Sequence, residues 1–451
     1  MAAKPEVAFI GLGAMGFGMA THLVKQGYPV HGFDVYPPIL ERFAAAGGRT
    51  ATTPAEAAKG KSFCVVMVAN SIQTQSALVD GPDAAVPALA KGASLLLCST
   101  VACGYVQALE KKLAEIGRGD ILLVDAPVSG GVIRASDGTL SIMAGASDEA
   151  LQKGRFLLQE MSDPSKLYIG KGGIGAGSNL KMVHQVLAAV HILAAGEALG
   201  FAKQLGLADL KAVAERIISS DADAFMFSNR LPRILTLAGE ARKLDGPIAS
   251  AVTIILKDNG IITSEAVRHG FATPMTSTTE QVYYDALGRG WGSLDDAVMV
   301  QLYDAGQGKV GPLVASTAAS TDEEKLQLVL GLLRGIYLCS AAECLAYGKF
   351  LDMDLDQIFE LCANAAGGSA VFREVGPAMI EILKGGKPGQ DEVGLRVVAA
   401  ELQAAVGEAQ RLKMPLFLGA QAMNLVRLAL NHAPKSVEKP PRALLCKVWS
   451  A

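Results

Sequence analysis

The sequence lacks an excess of charge of either sign, with 41 basic and 44 acidic residues and a formal net charge of −3. We therefore expect no nucleic-acid or anionic-membrane partner. Gly, Asp or Lys interrupts the apolar stretches before they reach the roughly 20 residues that a membrane span needs. No signal-peptide pattern occurs in Met1-Ala-Ala-Lys-Pro-Glu6, and the seven cysteines form no Cys-x-x-Cys pair. A cytoplasmic protein with no membrane partner and no metal site is expected.

Half of the 451 residues are hydrophobic, which is enough for two or three domains. Between residues 7 and 145, short β-rich runs alternate with helical stretches. Most of these runs are unbroken and apolar, as in a parallel sheet that is covered on both faces. The pattern predicts a doubly wound α/β domain, with strands at Val7–Leu12, Val30–Asp34, Phe63–Ala69, Ser94–Ser99, Ile121–Ala126 and Leu140–Ala144.

After about residue 178, long Ala/Leu-rich helical stretches replace the strand pattern. A segment rich in Gly, Ala, Ser and Thr, residues 305–321, is interpreted as a linker. It ends in Thr321-Asp-Glu-Glu324, which predicts a capping box at the start of another helix.

The segment after the linker resembles the segment before it. A shift of 146 residues places Ala195-Gly-Glu197-Ala-Leu199 on Ala341-Ala-Glu343-Cys-Leu345. The same shift also pairs Lys203 with Lys349, Leu205 with Leu351, Ala224 with Ala370 and Ile234 with Ile380. Spacing kept over some forty positions without a gap favours a duplication over a chance match of two Ala/Leu-rich helices.

A dinucleotide site is predicted at Gly11-Leu12-Gly13-Ala14-Met15-Gly16, which follows the first strand and opens a helix. Gly11 permits the tight turn, Gly13 the approach of a pyrophosphate, and Gly16 close helix–strand packing. Asp34 ends the second strand, where a carboxylate accepts from a ribose diol and repels a 2′-phosphate. NAD is therefore favoured over NADP.

Two later motifs carry the expected chemistry. Asp125-Ala-Pro-Val-Ser129-Gly130-Gly131 ends a strand, and its Ser-Gly-Gly turn suits a carboxylate, although a plain strand exit is the alternative. Gly172-Gly-Ile-Gly175-Ala-Gly177 leads into a helix with Lys181, His184 and Gln185 on one face. A partly desolvated lysine near a helix N-terminus should have a lowered pKa and could act as a general base. A snorkelling or salt-bridged lysine is the alternative reading.

These three motifs, in this order, resemble the β-hydroxyacid dehydrogenases over residues 5 to about 305. The resemblance implies a Rossmann domain, a helical domain and an active site in the cleft between them. It assigns Lys181 as the catalytic lysine and Ser129, Gly130 and Gly131 as the substrate-carboxylate loop. It places Val68, Ala69, Thr100 and Lys257 beside the cofactor, with Val68-Ala69 replacing the usual Leu-Pro.

The sequence departs from the family at His184 and Gln185, where two asparagines are usual and one binds substrate. His-Gln is typical of the L-threonate dehydrogenase branch, as is Met226-Phe-Ser-Asn229-Arg230-Leu-Pro232. A sugar-acid substrate is therefore favoured, with both residues assigned to substrate binding. Alternatives are 3-hydroxyisobutyrate oxidation, tartronate semialdehyde reduction, and a non-catalytic dinucleotide-binding scaffold. Retention of the lysine argues against an imine reductase and against the scaffold.

The resulting domain prediction is a Rossmann domain at 1–177, a helical catalytic domain at 178–305, a linker at 306–321, a second helical repeat at 322–435 and a tail at 436–451. In the repeat, Gln327 replaces Lys181, Leu330 and Gly331 replace His184 and Gln185, and Ala400 falls near Lys257. The copy is therefore expected to be structural, as in the doubled helical domain of 6-phosphogluconate dehydrogenase. It would stand in for a partner subunit as a pseudo-dimer within one chain, with further homo-oligomerisation left open.

Overall fold

The computed structural model describes residues 3–239, 241, 243–246, 248–303, 321–387, 389, 391–433 and 438–449. Apart from Thr321, the predicted linker lies outside these residues. The chain divides into two compact units, Met1–Met182 and Val183–Ala451. Helix α9 (Ala176–Gln204) belongs to both units, because the division falls inside it.

The first unit is built on a parallel six-stranded sheet in the order β3-β2-β1-β4-β5-β6. All six predicted strands are present, each close to its expected bounds, and five of them lie in this sheet. The short β3 was missed by the sequence analysis. The strands are β1 (Val7–Ile10), β2 (Val30–Phe33), β3 (Arg49–Thr50), β4 (Phe63–Val66), β5 (Ser94–Leu97) and β6 (Leu122–Asp125).

A second, three-stranded sheet continues the first unit in the order β7-β8-β9. Strand β8 was predicted, whereas β7 and β9 were not, because β7 has two residues and β9 is largely polar. The strands are β7 (Val128–Ser129), β8 (Leu140–Ala144) and β9 (Ser162–Ile169).

Helices cover both faces of the large sheet. Alternate strand residues belong to two separate apolar clusters. Phe9 lies in one cluster, and its neighbour Ile10 lies in the other. This arrangement explains the unbroken apolar runs, since both faces of each strand are buried. The helices are α1 (Ala14–Lys25), α2 (Pro37–Ala45), α3 (Pro54–Ala58), α4 (Ser71–Leu78), α5 (Ala85–Ala88), α6 (Cys103–Glu115), α7 (Gly131–Asp137) and α8 (Asp148–Met161).

The second unit contains two successive series of helices. The first comprises α9, α10 (Leu210–Ile218), α11 (Phe225–Ala238), α12 (Val252–His269), α13 (Pro274–Gly288) and the 3₁₀ helix Asp296–Tyr303. The second comprises α14 (Asp322–Phe350), α15 (Leu355–Ala363), α16 (Ala370–Leu383), α17 (Leu395–Arg411), α18 (Phe417–His432) and the 3₁₀ helix Arg442–Trp449. The predicted capping box is confirmed, since Thr321 and Glu324 each accept from the other's backbone N–H.

The expectation that no apolar stretch reaches membrane-spanning length is corrected. Helices α9 and α14 have 29 residues each and are apolar enough to cross a membrane. However, 100% and 89% of their most apolar windows are buried inside the protein. They are the core helices of the second unit, as in a soluble protein.

Two further expectations from the sequence are corrected. The ungapped offset of 146 residues holds for α9 and α14, which begin at residues 176 and 322, but not for α10 and α15, which begin at 210 and 355. The loop 205–209 is one residue longer than 351–354, so Ala224 corresponds to Ser369 and Ile234 to Met379. The expected tail is also folded, because Leu445 and Cys446 of its 3₁₀ helix are fully buried.

Candidate active site

The glycine loop after β1 is shaped as the motif requires. Gly11 has a φ of +93°, and a Cβ on Gly16 would overlap the carbonyl oxygen of Gly11. Around Gly13, by contrast, no atom lies within 4 Å of a built Cβ. Gly13 supplies no side-chain cap to helix α1, which begins at Ala14 and Met15. The first turn therefore presents an open helix N-terminus, where an anionic group is stabilised.

Asp34 is tied to this loop by its carboxylate. Oδ2 accepts from Leu12 N at 2.7 Å, and Oδ1 accepts from Tyr36 N at 2.9 Å. The next two side chains stand in solvent, since Val35 is 85% and Tyr36 63% exposed. Neither Val35 nor Tyr36 carries a cationic group that could bind a 2′-phosphate, which is the reason that NAD was favoured from the sequence.

Strand β4 ends beside the glycine loop, and the strand order reverses between β1 and β4. Val68 N donates to Ser99 Oγ at 2.8 Å, which ties the Val68-Ala69 segment to the residue before Thr100. Ser99 is fully buried and was not singled out from the sequence, because a lone serine after a strand carries no pattern. Ligands of open α/β sheets bind at such an edge.

The Ser-Gly-Gly turn begins in the small sheet. Ser129 pairs with Ser141 of β8, while Gly130 and Gly131 have φ values of +141° and +76° and lead into α7. Both positive φ values require glycine in practice. Ile133, in the first turn of α7, is 76% exposed, so apolar surface adjoins the turn.

Lys181 is the sixth residue of α9, and only 5% of it is exposed. The start of this helix is fixed to β6 by Asp125, which the sequence analysis quoted without giving it a role. Asp125 is fully buried and accepts two hydrogen bonds from Ser178, at 2.6 and 2.8 Å. Burial raises the pKa of Asp125 to about 7 against the lowering effect of these bonds.

In the second unit, a carboxylate joins two of the predicted site residues. Gln185 Nε2 donates to Asp258 Oδ2 at 2.6 Å, and Lys257 Nζ lies 3.0 Å from Asp258 Oδ1. Asp258 is buried, and its position directly after Lys257 was the signal that could have identified it. His184 is fully buried on the same helix as Gln185.

The Met226–Pro232 motif contributes a buried ion pair to the second unit. Arg230 is buried and donates from Nε and Nη2 to Asp296, at distances of 2.8 to 3.1 Å. This guanidinium is committed to a buried ion pair between α11 and a 3₁₀ helix, so it supports the fold of the second unit.

Comparison with known proteins gives matches over the first two thirds of the chain. Residues 6–170 match the family model for the NAD-binding domain of 6-phosphogluconate dehydrogenase, and residues 175–303 match that for the NAD-binding domain of NADP-dependent 3-hydroxyisobutyrate dehydrogenase. L-threonate dehydrogenase of Cupriavidus necator is 36% identical over 298 residues, which is 66% of this chain and 96% of that protein.

Two further relatives support the same assignment. NAD-dependent L-serine dehydrogenase of Pseudomonas aeruginosa is 31% identical, over 67% of this chain and 99% of that one. The crystal structure of 3-hydroxyisobutyrate dehydrogenase from Salmonella typhimurium aligns with a TM-score of 0.59 at 28% identity, covering 66% of this chain and 100% of that one.

Proposed function

The chain belongs to the β-hydroxyacid dehydrogenase family and is an NAD-dependent hydroxyacid dehydrogenase, and from this premise we propose that it oxidises L-threonate or a related sugar acid. The observation that carries the substrate proposal is the 36% identity to an L-threonate dehydrogenase over 96% of that protein. The His184-Gln185 pair, which departs from the usual two asparagines, points to the same branch.

The glycine loop and Asp34 have the form that NAD needs. The open space at Gly13 and the uncapped start of α1 suit a diphosphate. Asp34, held in place by Leu12 N, suits the adenosine ribose diol. Val68, Ala69 and Thr100 would complete the cofactor site of the first unit. When bound, NAD accepts the hydride that leaves the substrate carbon.

The proton chemistry is assigned to Lys181. Its amine takes the hydroxyl proton of the substrate during oxidation and returns it during reduction. Ser129, Gly130 and Gly131 hold the substrate carboxylate with the serine hydroxyl and unhindered backbone N–H groups. Glycine at both positions keeps side chains away from these donors.

Asp258 supports the substrate side of the proposal. Its two oxygens bind the Gln185 amide and the Lys257 ammonium, and so hold both side chains in place. With its amide nitrogen engaged, Gln185 offers its carbonyl oxygen as an acceptor for a substrate hydroxyl. A buried acceptor of this kind favours a polyhydroxylated acid over 3-hydroxyisobutyrate, which has a methyl group in place of a hydroxyl.

The test is a screen of NAD reduction with purified protein. L-threonate, D-threonate, L-serine, 3-hydroxyisobutyrate and glycerate are offered at equal concentrations, and kcat/KM is measured for each. L-threonate should have the highest value. A higher value for 3-hydroxyisobutyrate or L-serine would replace the substrate proposal and leave the family assignment intact. Tartronate semialdehyde with NADH tests the reductive alternative.

We also propose that the two helical series are a duplication arranged about a pseudo-twofold axis. The helices of the first series, taken in order from α9 to the 3₁₀ helix, have 29, 9, 14, 18, 15 and 8 residues. Those of the second series, taken in order from α14, have 29, 9, 14, 17, 16 and 8 residues. Helices α11 and α16 each contain an internal proline, Pro232 and Pro377, at the eighth position. Two unrelated helical segments would not share this order of lengths.

Two buried glutamates make reciprocal contacts, which supports the twofold arrangement. Glu197 of α9 accepts from Leu418 N and Gly419 N, at 3.1 and 2.9 Å, at the start of α18. Glu343 of α14 accepts from Met275 N and Thr276 N, at 2.7 and 2.9 Å, at the start of α13. Each series therefore caps a helix of the other. Twofold symmetry requires such reciprocity, since a contact of one half implies the same contact rotated by 180° in the other.

The second series is proposed to be structural. Gln327, which replaces Lys181, is exposed and donates to Glu323 at 2.8 Å. The register of α12 and α17, which begin at residues 252 and 395, places Ala400 opposite Lys257. No second set of the proposed catalytic groups occurs in the part of this series that the structure describes.

A further inference from the structure

Asp125 stands at a junction in the first unit. It is the last residue of β6 and lies four positions before Ser129 of the substrate loop. Its backbone forms an antiparallel bridge with Gly145, through N–O distances of 3.0 and 2.8 Å. The position of its side chain is therefore fixed by two strands.

The carboxylate of Asp125 holds the first turn of α9. Oδ2 accepts from Ser178 N at 2.6 Å, and Oδ1 accepts from Ser178 Oγ at 2.8 Å. Ser178 is the third residue of the helix, and Lys181 follows three positions later. At Gly177, a Cβ would lie against the carbonyl oxygens of Met143 and Asp125, so the helix backbone packs directly on the strand ends.

A buried carboxylate at this place is chemically consistent. A negative charge is stabilised by the free N–H groups and the dipole at a helix N-terminus. Hydrogen bonds to an ionised acceptor are shorter and stronger than neutral ones, and they are directional. A fully desolvated acid is expensive when it serves only to connect two elements. The cost is understandable if the connection sets a distance that the reaction needs.

We propose that Asp125 is a positioning residue, which fixes Lys181 relative to the Ser129 loop by clamping Ser178. The inference rests on the proposed acid–base role of Lys181. Asp125 contacts no substrate and transfers no proton in this scheme. It acts through the orientation of one helical turn, where a misplacement of about 1 Å can reduce a rate by about 100-fold.

The first test removes one of the two bonds with Ser178→Ala. Alanine is a good helix former, so the variant should fold. We expect kcat to fall about tenfold while KM for NAD stays within about twofold. Ser178→Thr, which keeps the hydroxyl, should restore most of the loss. The matched control is Ser94→Ala, because Ser94 is equally buried and its hydroxyl has no partner among the described residues.

The second test is a double-mutant cycle with Lys181→Ala. If Asp125 and Ser178 act through Lys181, Ser178→Ala should change kcat little once the lysine is absent. Asp125→Asn keeps the shape of the side chain but turns an amide NH₂ toward one of the Ser178 donors. It should lower kcat as Ser178→Ala does, by a larger factor. A tenfold loss that persists in the Lys181→Ala background, or wild-type kcat in Ser178→Ala, overturns the inference. Normal turnover of Lys181→Ala alone would instead overturn the proposed function.

Discussion

The rings of His191 and Tyr337 meet edge to face with their centroids 4.5 Å apart, at the centre of the two long helices α9 and α14. The two residues are the sixteenth of each helix. A residue that contacts its own counterpart would lie on the pseudo-twofold axis that we propose. Both side chains are fully buried, and burial lowers the pKa of His191 to about 3, so the imidazole is neutral there.

A second contact joins corresponding residues of the two helical series. Ala224 and Ser369, counterparts at the starts of α11 and α16, form an isolated antiparallel bridge. Phe225 N donates to Gly368 O and Ala370 N donates to Asp223 O, both at 2.8 Å. With the reciprocal glutamates, these contacts support the proposal that the second series occupies the place of a partner subunit.

Lys181→Ala should lower kcat by about 10²–10⁴-fold, the usual contribution of a positioned acid–base group. NAD binding should persist, because the lysine is assigned to the substrate. Steady-state kinetics and fluorescence titration with NADH measure the two effects. Lys203→Ala, a change at the far end of the same helix, is the control and should retain activity. Near-normal turnover of Lys181→Ala would remove the assignment.

The wild type should have a higher kcat/KM with NAD than with NADP. Asp34→Asn should reduce the ratio of these two kcat/KM values. Asparagine keeps an acceptor for Leu12 N but loses the charge that repels a 2′-phosphate. Asp34→Ala should also reduce this NAD-to-NADP ratio. It should raise KM for NAD as well, since the glycine loop loses the hydrogen bond between Leu12 N and Asp34. A wild-type preference for NADP would contradict the role given to Asp34.

Glu197→Gln and Glu343→Gln should each lower the free energy of unfolding by about 1–3 kcal/mol, because an amide cannot accept from all the donors around each carboxylate. Burial raises the pKa of each glutamate to about 7 from 4.5. The folded state therefore binds these protons more tightly than the unfolded state. Stability from this source is full below pH 4.5 and is lost as the pH rises to about 7. Denaturant titrations across this range should show a shallower pH dependence in each variant.

Gln327→Ala should leave kcat and KM nearly unchanged, although the residue replaces Lys181 in the second series. Its amide is exposed and bonds only Glu323 among the described contacts. The comparison with Lys181→Ala, an equivalent site in the other series, makes the experiment internally controlled. A loss of turnover in Gln327→Ala would show that the second series takes part in the chemistry.

Deletion of all residues after Ala319 should expose the face of α9 that contacts the second series, including Leu187, which lies beside Gly367, and His191, which lies beside Tyr337. The truncated chain should aggregate or self-associate, as light scattering coupled to size exclusion would detect. Glu343→Gln in the full chain serves as the comparison that weakens the contact without removing it. A stable and fully active truncated monomer would end the pseudo-dimer proposal.

Much of the protein was determined by local sequence. The apolar runs and glycine spacing predicted the six apolar strands β1, β2, β4, β5, β6 and β8, the loop after β1 and the Thr321 capping box, because these patterns depend on neighbours within a few residues. The same pattern placed Lys181 on the helix after the glycine-rich segment, whereas its catalytic assignment came from the resemblance to the family. The family assignment followed from three such motifs in order.

Other features were decided only by tertiary structure. Asp125 and Ser178 are 53 positions apart, Gln185 and Asp258 are 73 apart, and Glu197 and Gly419 are 222 apart. No periodicity signals a pairing over such distances, because the partner is chosen by the path of the chain. The sequence placed Glu197 and Glu343 at matching positions, yet it could not tell that each caps the other series. These contacts form because the two helical series fold against each other, and buried carboxylates must find donors wherever the packing brings them.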